Sequence, residues 1–242
     1  MRIPLTKYGW PQIITLPAIV VAVMAILLLA GKLLLPLWAV ISIEVALAVI
    51  LIWVLTFFRD PQRHCPADKN ILLSPADGQV TNIDIVEEDG FIGSSALRIG
   101  IFLSIFDVHI NRAPCNVKVE KINYRKGKHQ NATNPQSGRL NESNDLGLVR
   151  TDEPQEKLIV RQISGAIARR IVCETTEGQK LAGGQKFGMI KFGSRTELYV
   201  PLIPNTENGL WQPKCLVKVG DKVKAGLTAL VRYKLETKNA KP

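Results

Sequence analysis

Residues 11–31 read PQIITLPAIVVAVMAILLLAG and contain no charged side chain. Residues 33–58 read LLLPLWAVISIEVALAVILIWVLTFF and contain one, Glu44. A helix needs about 20 apolar residues to cross the hydrocarbon core of a bilayer, and both runs reach that length. The sequence therefore predicts a two-helix transmembrane hairpin within residues 1–59, with its turn at Gly31 and Lys32.

Two alternatives concern this N-terminal segment. A signal peptide followed by a buried helix fits poorly, because a signal peptide has one short apolar region and a small-residue cleavage site. An amphipathic or re-entrant anchor stays open. Glu44 is an acid inside a predicted span, so it is a candidate for function and equally for helix pairing.

Positive residues flank the outer ends of the two runs. Arg2 and Lys7 precede the first run, and Arg59, Arg63 and Lys69 follow the second. Lys and Arg are enriched on the cytoplasmic side of membrane proteins. We therefore expect a cell-membrane anchor that leaves the rest of the chain on the cytoplasmic face.

Residues 60–242 form short apolar runs rich in Val and Ile, separated by Gly, Pro, Asn and Asp. This pattern is typical of strands. The predicted strands are residues 70–73, 79–85, 96–103, 118–124, 158–163, 167–174, 187–192, 198–200, 215–219 and 228–233. Only residues 105–112 show a weak helical period. We expect a mostly β (α+β) domain with one or two short helices.

Two turn-and-strand segments resemble each other: SPADGQV at residues 74–80 and VGDKVKAG at residues 219–226. Paired units of this kind are similar to those of biotinyl and lipoyl carrier domains, which implies a flattened β-barrel or sandwich; two ordinary glycine turns are the alternative. Residues 131–155 are polar and predict a long loop, as a lid or a variable insertion.

The composition excludes some classes of protein. The net charge of +10 lies mostly after residue 59 and suits anionic lipid headgroups. Nucleic-acid binding is not expected, because no helix-turn-helix, zinc or aromatic RNA-binding pattern is present. We expect no metal site, because the cysteines are far apart without a Cys-x-x-Cys pair. We expect no disulfide, because the predicted location is cytoplasmic. The cysteines are Cys65, Cys115, Cys173 and Cys215.

Of the three histidines, His64 and His129 lie in polar segments that predict linker or loop positions. His109 differs, since it stands in the apolar stretch FLSIFDVHINRAP with Asp107 and Asn111 beside it. Burial with polar partners tunes an imidazole toward general acid–base work. His109 is therefore a candidate catalytic residue.

A second focus is GMIKFGSRTELYVP, residues 188–201, where Gly193 precedes Ser194. Taken alone, this glycine indicates a bend in a strand. Four motifs in order change that interpretation: FFRDPQR, SPADG, FDVHINRAP and KFGSR. Together, over residues 57–231, they resemble the phosphatidylserine decarboxylase family, and its shorter (type A) branch in particular.

The resemblance implies a chain that cuts itself. Ser194 attacks the carbonyl of Gly193, and elimination then separates a β chain (residues 1–193) from an α chain (residues 194–242), which stay associated. Ser194 becomes a covalent pyruvoyl cofactor. Glycine at the cut lets the nucleophile approach closely. His109 would take the proton of Ser194 while Asp77 orients or charges His109. These roles are those of a Ser-His-Asp catalytic triad, but here the reaction is not a hydrolysis.

The resemblance also implies the reaction. The pyruvoyl ketone forms a Schiff base with the amine of phosphatidylserine and takes up the electrons left by CO2, giving phosphatidylethanolamine in phospholipid biosynthesis. His109 is the expected proton donor. Arg112 and Lys191 are candidates to hold the phosphate or carboxylate and, equally, to be surface charges. The longer branch has a second histidine where this chain has Arg112, so whether His109 serves both steps stays open.

Other functions are compatible with the sequence. A sibling enzyme acting on archaetidylserine shares the headgroup chemistry. A non-enzymatic membrane adaptor with a lipoyl-like barrel explains the spans and turns but leaves Asp77, His109 and Ser194 without a role. We also expect a homo-oligomer.

Overall fold

The computed structural model describes residues 4–128, 130, 137–165, 170–191, 194–202 and 210–236. The chain divides into two compact units, Met1–Gln62 and Arg63–Pro242. The sequence places the boundary between residues 59 and 60, three residues before this division. Gly193, His129 and the first part of the predicted loop, residues 131–136, lie outside the described residues.

The first unit is helical. Its elements are a 3-10 turn (Lys7–Gly9), α1 (Trp10–Ile26), a π-helical turn (Leu27–Gly31), α2 (Lys32–Leu34) and α3 (Leu37–Phe57). Two helical segments, Lys7–Gly31 and Leu37–Phe57, are long and apolar enough to cross a membrane, with mean hydropathies of 2.9 and 2.6. Most of their apolar side chains are exposed, unlike those of a helix in a soluble core. Length, composition and exposure thus agree with the predicted hairpin.

The turn of the hairpin was predicted at the wrong residues. Helical structure continues through Gly31 and Lys32 to Leu34. The helix ends at Leu35, which is extended at φ −131° and ψ 149°. Pro36 follows and precedes the first residue of α3. A residue before proline is pushed out of the helical region, so the proline sets the break and the glycine does not.

The second unit is built from strands. They are β1 (Ile71–Leu73), β2 (Gly78–Glu88), β3 (Ser94–Leu103), β4 (Ile110–Arg112), β5 (Val117–Arg125), β6 (Ser143–Arg150), β7 (Lys157–Ile163), β8 (Ile171–Cys173), β9 (Lys180–Leu181), β10 (Lys186–Ile190), β11 (Ser194–Pro201), β12 (Leu210–Cys215), β13 (Lys222–Val223) and β14 (Ala229–Glu236). One short helix, α4 (Ser137–Leu140), lies between β5 and β6.

The strands form three antiparallel sheets. The largest has the order β13-β2-β3-β11-β7-β6-β5-β9 and curls into a half-barrel. The two smaller sheets have the orders β1-β14-β12 and β4-β10-β8. The predicted mostly β domain after two apolar helices is therefore confirmed. β11 occupies the interior of the large sheet, with β3 on one side and β7 on the other.

The hydrophobic core lies on one face of the large sheet. Ile99, Leu146, Leu158 and Leu198 come from four of its strands and are fully buried there. Successive side chains of a strand point to opposite faces. Ser194 therefore lies on the same face as Leu198, which places it toward the core.

Three local predictions were wrong. Residues 143–150, predicted as loop, form β6 in the large sheet, where Leu146 and Leu148 are buried. Residues 105–112, where a weak helix was predicted, form a turn and then β4. The strand predicted at residues 215–219 lies earlier, at Leu210–Cys215. In each case pairing with distant strands decides the structure, and local pattern does not show it.

The two similar turn segments lie side by side. β13 pairs with β2 through Val223 and Gly78, and the N–H of Gly226 donates to the carbonyl of Ser74 at 2.8 Å. Gly78 has φ +145°, and a Cβ on it would lie 2.1 Å from the carbonyl oxygen of Phe102. Only glycine fits this position, since the backbone of β3 passes too close for a side chain.

A cluster of buried charged and polar side chains lies against the hydrophobic core at Tyr233. Arg150 lies over the Tyr233 ring at 4.7 Å and 3.6 Å from the Glu156 carboxylate. The Tyr233 hydroxyl donates to Glu156. Burial raises the pKa of Glu156 to about 7, although Tyr233 and Arg150 both act to lower it. Burial also raises the pKa of the neighbouring Cys115 thiol to about 12.

This shift predicts a pH-dependent stability. The unfolded chain ionises Glu156 near its ordinary value of 4.5, whereas the folded chain ionises it only near 7. The native state therefore loses stability as pH rises between these values, by about 3 kcal/mol at 1.36 kcal/mol per unit. We expect Glu156→Gln to remove this decline between pH 5 and pH 8 in thermal unfolding of the detergent-solubilised protein. Exposed Glu120→Gln is the control, and an unchanged slope in the Glu156 variant would contradict the prediction.

Candidate active site

Ser194 is the first residue of β11, and the sheet fixes its surroundings. It pairs with Leu103, the last residue of β3, while its neighbour Arg195 pairs with Ile163 of β7. The Ser194 side chain is fully buried. Its Oγ atom has no hydrogen-bond partner among the residues that the structure describes. A buried hydroxyl without a partner costs about 1–3 kcal/mol, so such a group calls for an explanation.

His109 lies directly before β4 and is also fully buried. Its Nδ1 atom is 2.9 Å from the carbonyl oxygen of Asp107. A carbonyl only accepts, so Nδ1 carries a proton, and in the neutral ring Nε2 is the nitrogen with the lone pair of a base. The N–H of Ile190 donates to the carbonyl of His109 at 3.2 Å. The histidine therefore lies beside the strand that leads to the Gly193–Ser194 bond.

A tight turn holds His109 in place. The Asp107 carboxylate accepts from the N–H of Ser104 at 2.8 Å, and the Asp107 N–H donates to the Ser104 carbonyl at 2.9 Å. Ser104 follows Leu103, the partner of Ser194 in the sheet. The segment from Leu103 to His109 therefore places both predicted residues. Ser194 pairs with Leu103 at its start, and His109 is its last residue.

Asp77 has different partners from those expected. Its carboxylate accepts from Nη1 and Nη2 of Arg63 at 2.6 and 2.7 Å and from the N–H of Ala225 at 2.8 Å. Within the described part of the chain, its hydrogen bonds go to these two residues and do not include His109. Arg63 also donates to the carbonyl of Ala225 at 2.6 Å. The role of Asp77 in charging His109 stays a prediction.

This ion pair predicts the behaviour of Asp77 variants. Both side chains are nearly buried, at 6% and 10% exposure, so Asp77→Asn leaves the Arg63 charge without its counter-ion. Loss of one partner of a buried pair costs about 3 kcal/mol. We expect Asp77→Asn to unfold at lower temperature and to cut itself more slowly, measured by gel and by calorimetry.

The double variant Arg63→Gln/Asp77→Asn separates two explanations. It removes both charges, so it relieves the uncompensated Arg63. Recovery of cutting would make Asp77 a positioning residue that holds the turn at Ala225. A chain that folds as stably as the native protein and stays whole would mean that the carboxylate itself acts on His109.

Lys191 and Arg112, the two candidates for holding an anion, are both buried near the site. Burial lowers the pKa of Lys191, and the charge of Arg170 lowers it further. Arg112 donates to the carbonyl of Gly184 at 3.0 Å. Lys191 lies directly after β10 and two residues before Gly193 in sequence, whereas Arg112 lies three residues after His109. The role of Lys191 stays a prediction.

The opposite face of β11 carries an ionic network. Arg195 donates to Glu197 at 2.9 Å, and the Tyr199 hydroxyl donates to the other oxygen of Glu197 at 2.6 Å. Arg161 of β7 donates to Tyr199 at 2.8 Å and pairs with Asp145 of β6. These contacts fix β11 laterally in the sheet, and so they fix Ser194.

Residues for which the sequence interpretation gave no contact complete the site. Asn111 and Gln162 are fully buried amides that hydrogen-bond to each other at 2.9 Å. Arg63 was interpreted only as a positive charge that follows the second apolar run and indicates its orientation in the membrane. Asn111 lies in the FDVHINRAP motif, so that motif was the available signal; nothing in the sequence pairs Gln162 or Arg63 with the site. Among the described residues, no group of His, Cys, Asp and Glu side chains is arranged to hold a metal ion.

Among the described residues the buried Ser194 hydroxyl has no hydrogen-bond partner, and the segment that pairs with it ends at the buried His109, an arrangement that suits an enzyme that activates its own serine. The family described as phosphatidylserine decarboxylase matches residues 50–231. A phosphatidylserine decarboxylase proenzyme of Symbiobacterium thermophilum is 39% identical over 233 residues, 96% of this chain and 97% of the relative. One of Pelodictyon phaeoclathratiforme is 36% identical over 229 residues, 94% and 99%. One of Desulfotalea psychrophila is 43% identical over 176 residues, 73% and 77%.

The chain belongs to the phosphatidylserine decarboxylase family. The predicted resemblance is thereby confirmed. Two of these relatives match over nearly the full length of both chains, which agrees with the shorter branch.

Proposed function

We propose that this protein is a phosphatidylserine decarboxylase that cuts itself between Gly193 and Ser194 and uses the pyruvoyl group formed from Ser194. The observation that carries the proposal is the Ser194 hydroxyl, fully buried and without a hydrogen-bond partner among the described residues. This position fits a residue that is converted to a ketone, because the hydroxyl has no structural bond to lose. His109 supplies a base on the adjoining segment.

The self-cleavage follows from these two groups. His109 Nε2 takes the Ser194 hydroxyl proton while Oγ attacks the Gly193 carbonyl, so the amide C–N bond breaks, an ester forms and the proton ends on the freed amine. Removal of the Ser194 Cα proton then expels the Gly193 carboxylate and leaves dehydroalanine. Water then replaces the nitrogen of the dehydroalanine, which leaves as ammonia, and the product is the pyruvoyl group. Exclusion of bulk water from this buried site protects the ester from simple hydrolysis.

The sheet supports continued association of the two products. β11 belongs to the α chain, and its neighbours β3 and β7 belong to the β chain. β14 of the α chain also pairs with β1 of the β chain, from Leu73 to Ile71. The core buries Leu198, Val200 and Leu230 of the α chain against β-chain residues. Separation would expose this apolar surface, so the fragments stay together.

The pyruvoyl group supplies an electron sink for the carbanion that loss of CO2 creates. His109 Nε2 then delivers a proton to the carbon that carried the carboxylate. Buried Lys191, close to the cut in sequence, is proposed to bind the phosphate or carboxylate of the headgroup. Its desolvation strengthens attraction for an anion.

We place the anchor in the cell membrane with the catalytic unit on the cytoplasmic face. The support is the pair of apolar helices and the excess of Lys and Arg at their outer ends. The substrate resides in the same bilayer. The family and the relatives named above favour phosphatidylserine over archaetidylserine as the substrate, whereas a homo-oligomer stays a prediction. The non-enzymatic adaptor lacks this support.

The intact mass of the purified full-length protein tests the proposal. We expect two co-purifying polypeptides, residues 1–193 and 194–242, the smaller one blocked to N-terminal sequencing and reduced by borohydride. Vesicles of phosphatidylserine should release CO2, and vesicles of archaetidylserine provide the comparison. An uncut chain with an unmodified serine would overturn the proposal, whereas equal turnover of both lipids would revise only the substrate.

A further inference from the structure

Asn111 contacts every segment that forms the site. Its Nδ2 donates to Thr196 Oγ1 on β11 at 3.1 Å and to the Pro75 carbonyl at 3.4 Å. Its Oδ1 accepts from Gln162 Nε2 on β7 at 2.9 Å. Asn111 itself belongs to the strand that follows His109. The segments of Asp77, His109 and Ser194 are therefore joined through one buried amide.

Asn111 and its partner Thr196 lie at the same distance in sequence from the two reacting residues. Asn111 lies two residues after His109, and Thr196 lies two residues after Ser194. Residues two apart in a strand point to the same face, so Thr196 shares the face of Ser194 on β11. β4 and β11 belong to different sheets, so no backbone ladder joins them. The Asn111–Thr196 bond joins these two strands directly through their side chains.

A row of amides fixes the orientation of Asn111. Asn144 on β6 donates to Gln162 Oε1 at 3.1 Å, so Gln162 presents its NH2 group to Asn111. Asn111 must then accept with Oδ1 and donate with Nδ2. Gly188 lies against this row: a Cβ there would clash with the carbonyl oxygen of Val172 and would also lie 3.1 Å from Gln162 Nε2. A satisfied buried network of this kind is rigid.

We propose that Asn111 is a positioning residue for self-cleavage, holding the strand of His109 against the strand of Ser194 through Thr196. The inference rests on the proposed function. Asn111 does not exchange a proton in this role. It sets the distance between the segments that carry His109 and Ser194. A shift of about 1 Å between reacting groups costs roughly 100-fold in rate. Loss of the bond should therefore slow cutting far more than it lowers stability.

Two Thr196 variants give the decisive test. Thr196→Val keeps the shape but removes the acceptor of Asn111, whereas Thr196→Ser keeps the acceptor and loses a methyl group. We expect Thr196→Val to cut itself roughly 10- to 100-fold more slowly than the native chain and Thr196→Ser to cut within about threefold of it. A role in packing alone would give the reverse order. The measurement is the time course of precursor loss after synthesis in membranes, with the melting temperature of each variant.

Asn111→Ala should slow cutting at least as much as Thr196→Val. The double variant should be no slower than Asn111→Ala, because that change already removes the bond that Thr196→Val removes. Asn116→Ala is the matched control. Asn116 bonds Asp152 at 2.7 Å and Gly183 at 2.9 Å, away from Ser194, so its variant should lose stability and still cut normally.

The outcomes separate the inference from the proposed function. Native cutting by Thr196→Val, or slow cutting by Thr196→Ser with fast cutting by Thr196→Val, would overturn the role of Asn111 and leave the function standing. An uncut native chain would overturn the function itself. Should Asn111→Ala fail to fold, the Thr196 pair still decides, because both changes are small.

Discussion

Ser194→Ala is expected to leave the chain whole, with no decarboxylation of phosphatidylserine. Alanine has no hydroxyl to attack the preceding carbonyl, so neither the ester nor the pyruvoyl group can form. The fold should not suffer. Ser194 Oγ is fully buried and has no hydrogen-bond partner among the described residues, and removal of such an atom relieves a desolvation penalty of about 1 kcal/mol. Activity should disappear, while the melting temperature should equal or exceed that of the uncut native precursor.

The matched control is Ser143→Ala, a buried serine of β6. That variant should cut and decarboxylate like the native protein. Intact mass and CO2 release from labelled vesicles measure both expectations. A Ser194→Ala chain that still separates at this bond would mean that a protease makes the cut. A variant that melts well below the uncut native precursor would mean that the hydroxyl has a structural bond.

His109→Ala should lower the rate of self-cleavage by roughly 10²- to 10⁴-fold, the usual contribution of a positioned base. The Asp107 carbonyl, 2.9 Å from Nδ1, leaves Nε2 to accept a proton, and alanine supplies nothing in its place. The buried cavity that remains will also lower stability, so the rate is compared with that of a variant of similar melting temperature. Among chains that do cut slowly, decarboxylation per pyruvoyl group should also fall.

His64→Ala controls for the loss of an imidazole. His64 is exposed in the segment before β1, and its variant should process normally. Equal rates for the native chain and His109→Ala would remove the histidine from the mechanism. Normal cutting with lost decarboxylation would assign His109 to decarboxylation alone. This would answer whether His109 serves both steps in a chain that has Arg112 where the longer branch has a second histidine.

The apolar helices and many strands could be predicted because their signals are local. A run of uncharged residues long enough for a bilayer is visible in the sequence itself, and so is the alternation of Val and Ile in β3. The order of four short motifs was enough to predict the family. These features need no knowledge of what each residue contacts.

The errors concern residues whose partners are distant in sequence. β6 begins Ser143-Asn-Asp, which is typical of a loop, but Asn144 is buried because Gln162 accepts its hydrogen bond. Arg63 was interpreted as a membrane-flanking charge, and its bidentate bond to Asp77 could not be foreseen. A polar residue in a core is stable only with its partner, and sequence does not name that partner.

The interior position of β11 has a consequence for the life of the enzyme. A strand held along both edges cannot be exchanged between molecules without dismantling the large sheet. The reactive carbonyl is made from the chain itself and is never borrowed from a diffusible pool. A copy whose ketone is chemically destroyed therefore has no route to repair, and the cell must restore the lost capacity by synthesising a new polypeptide.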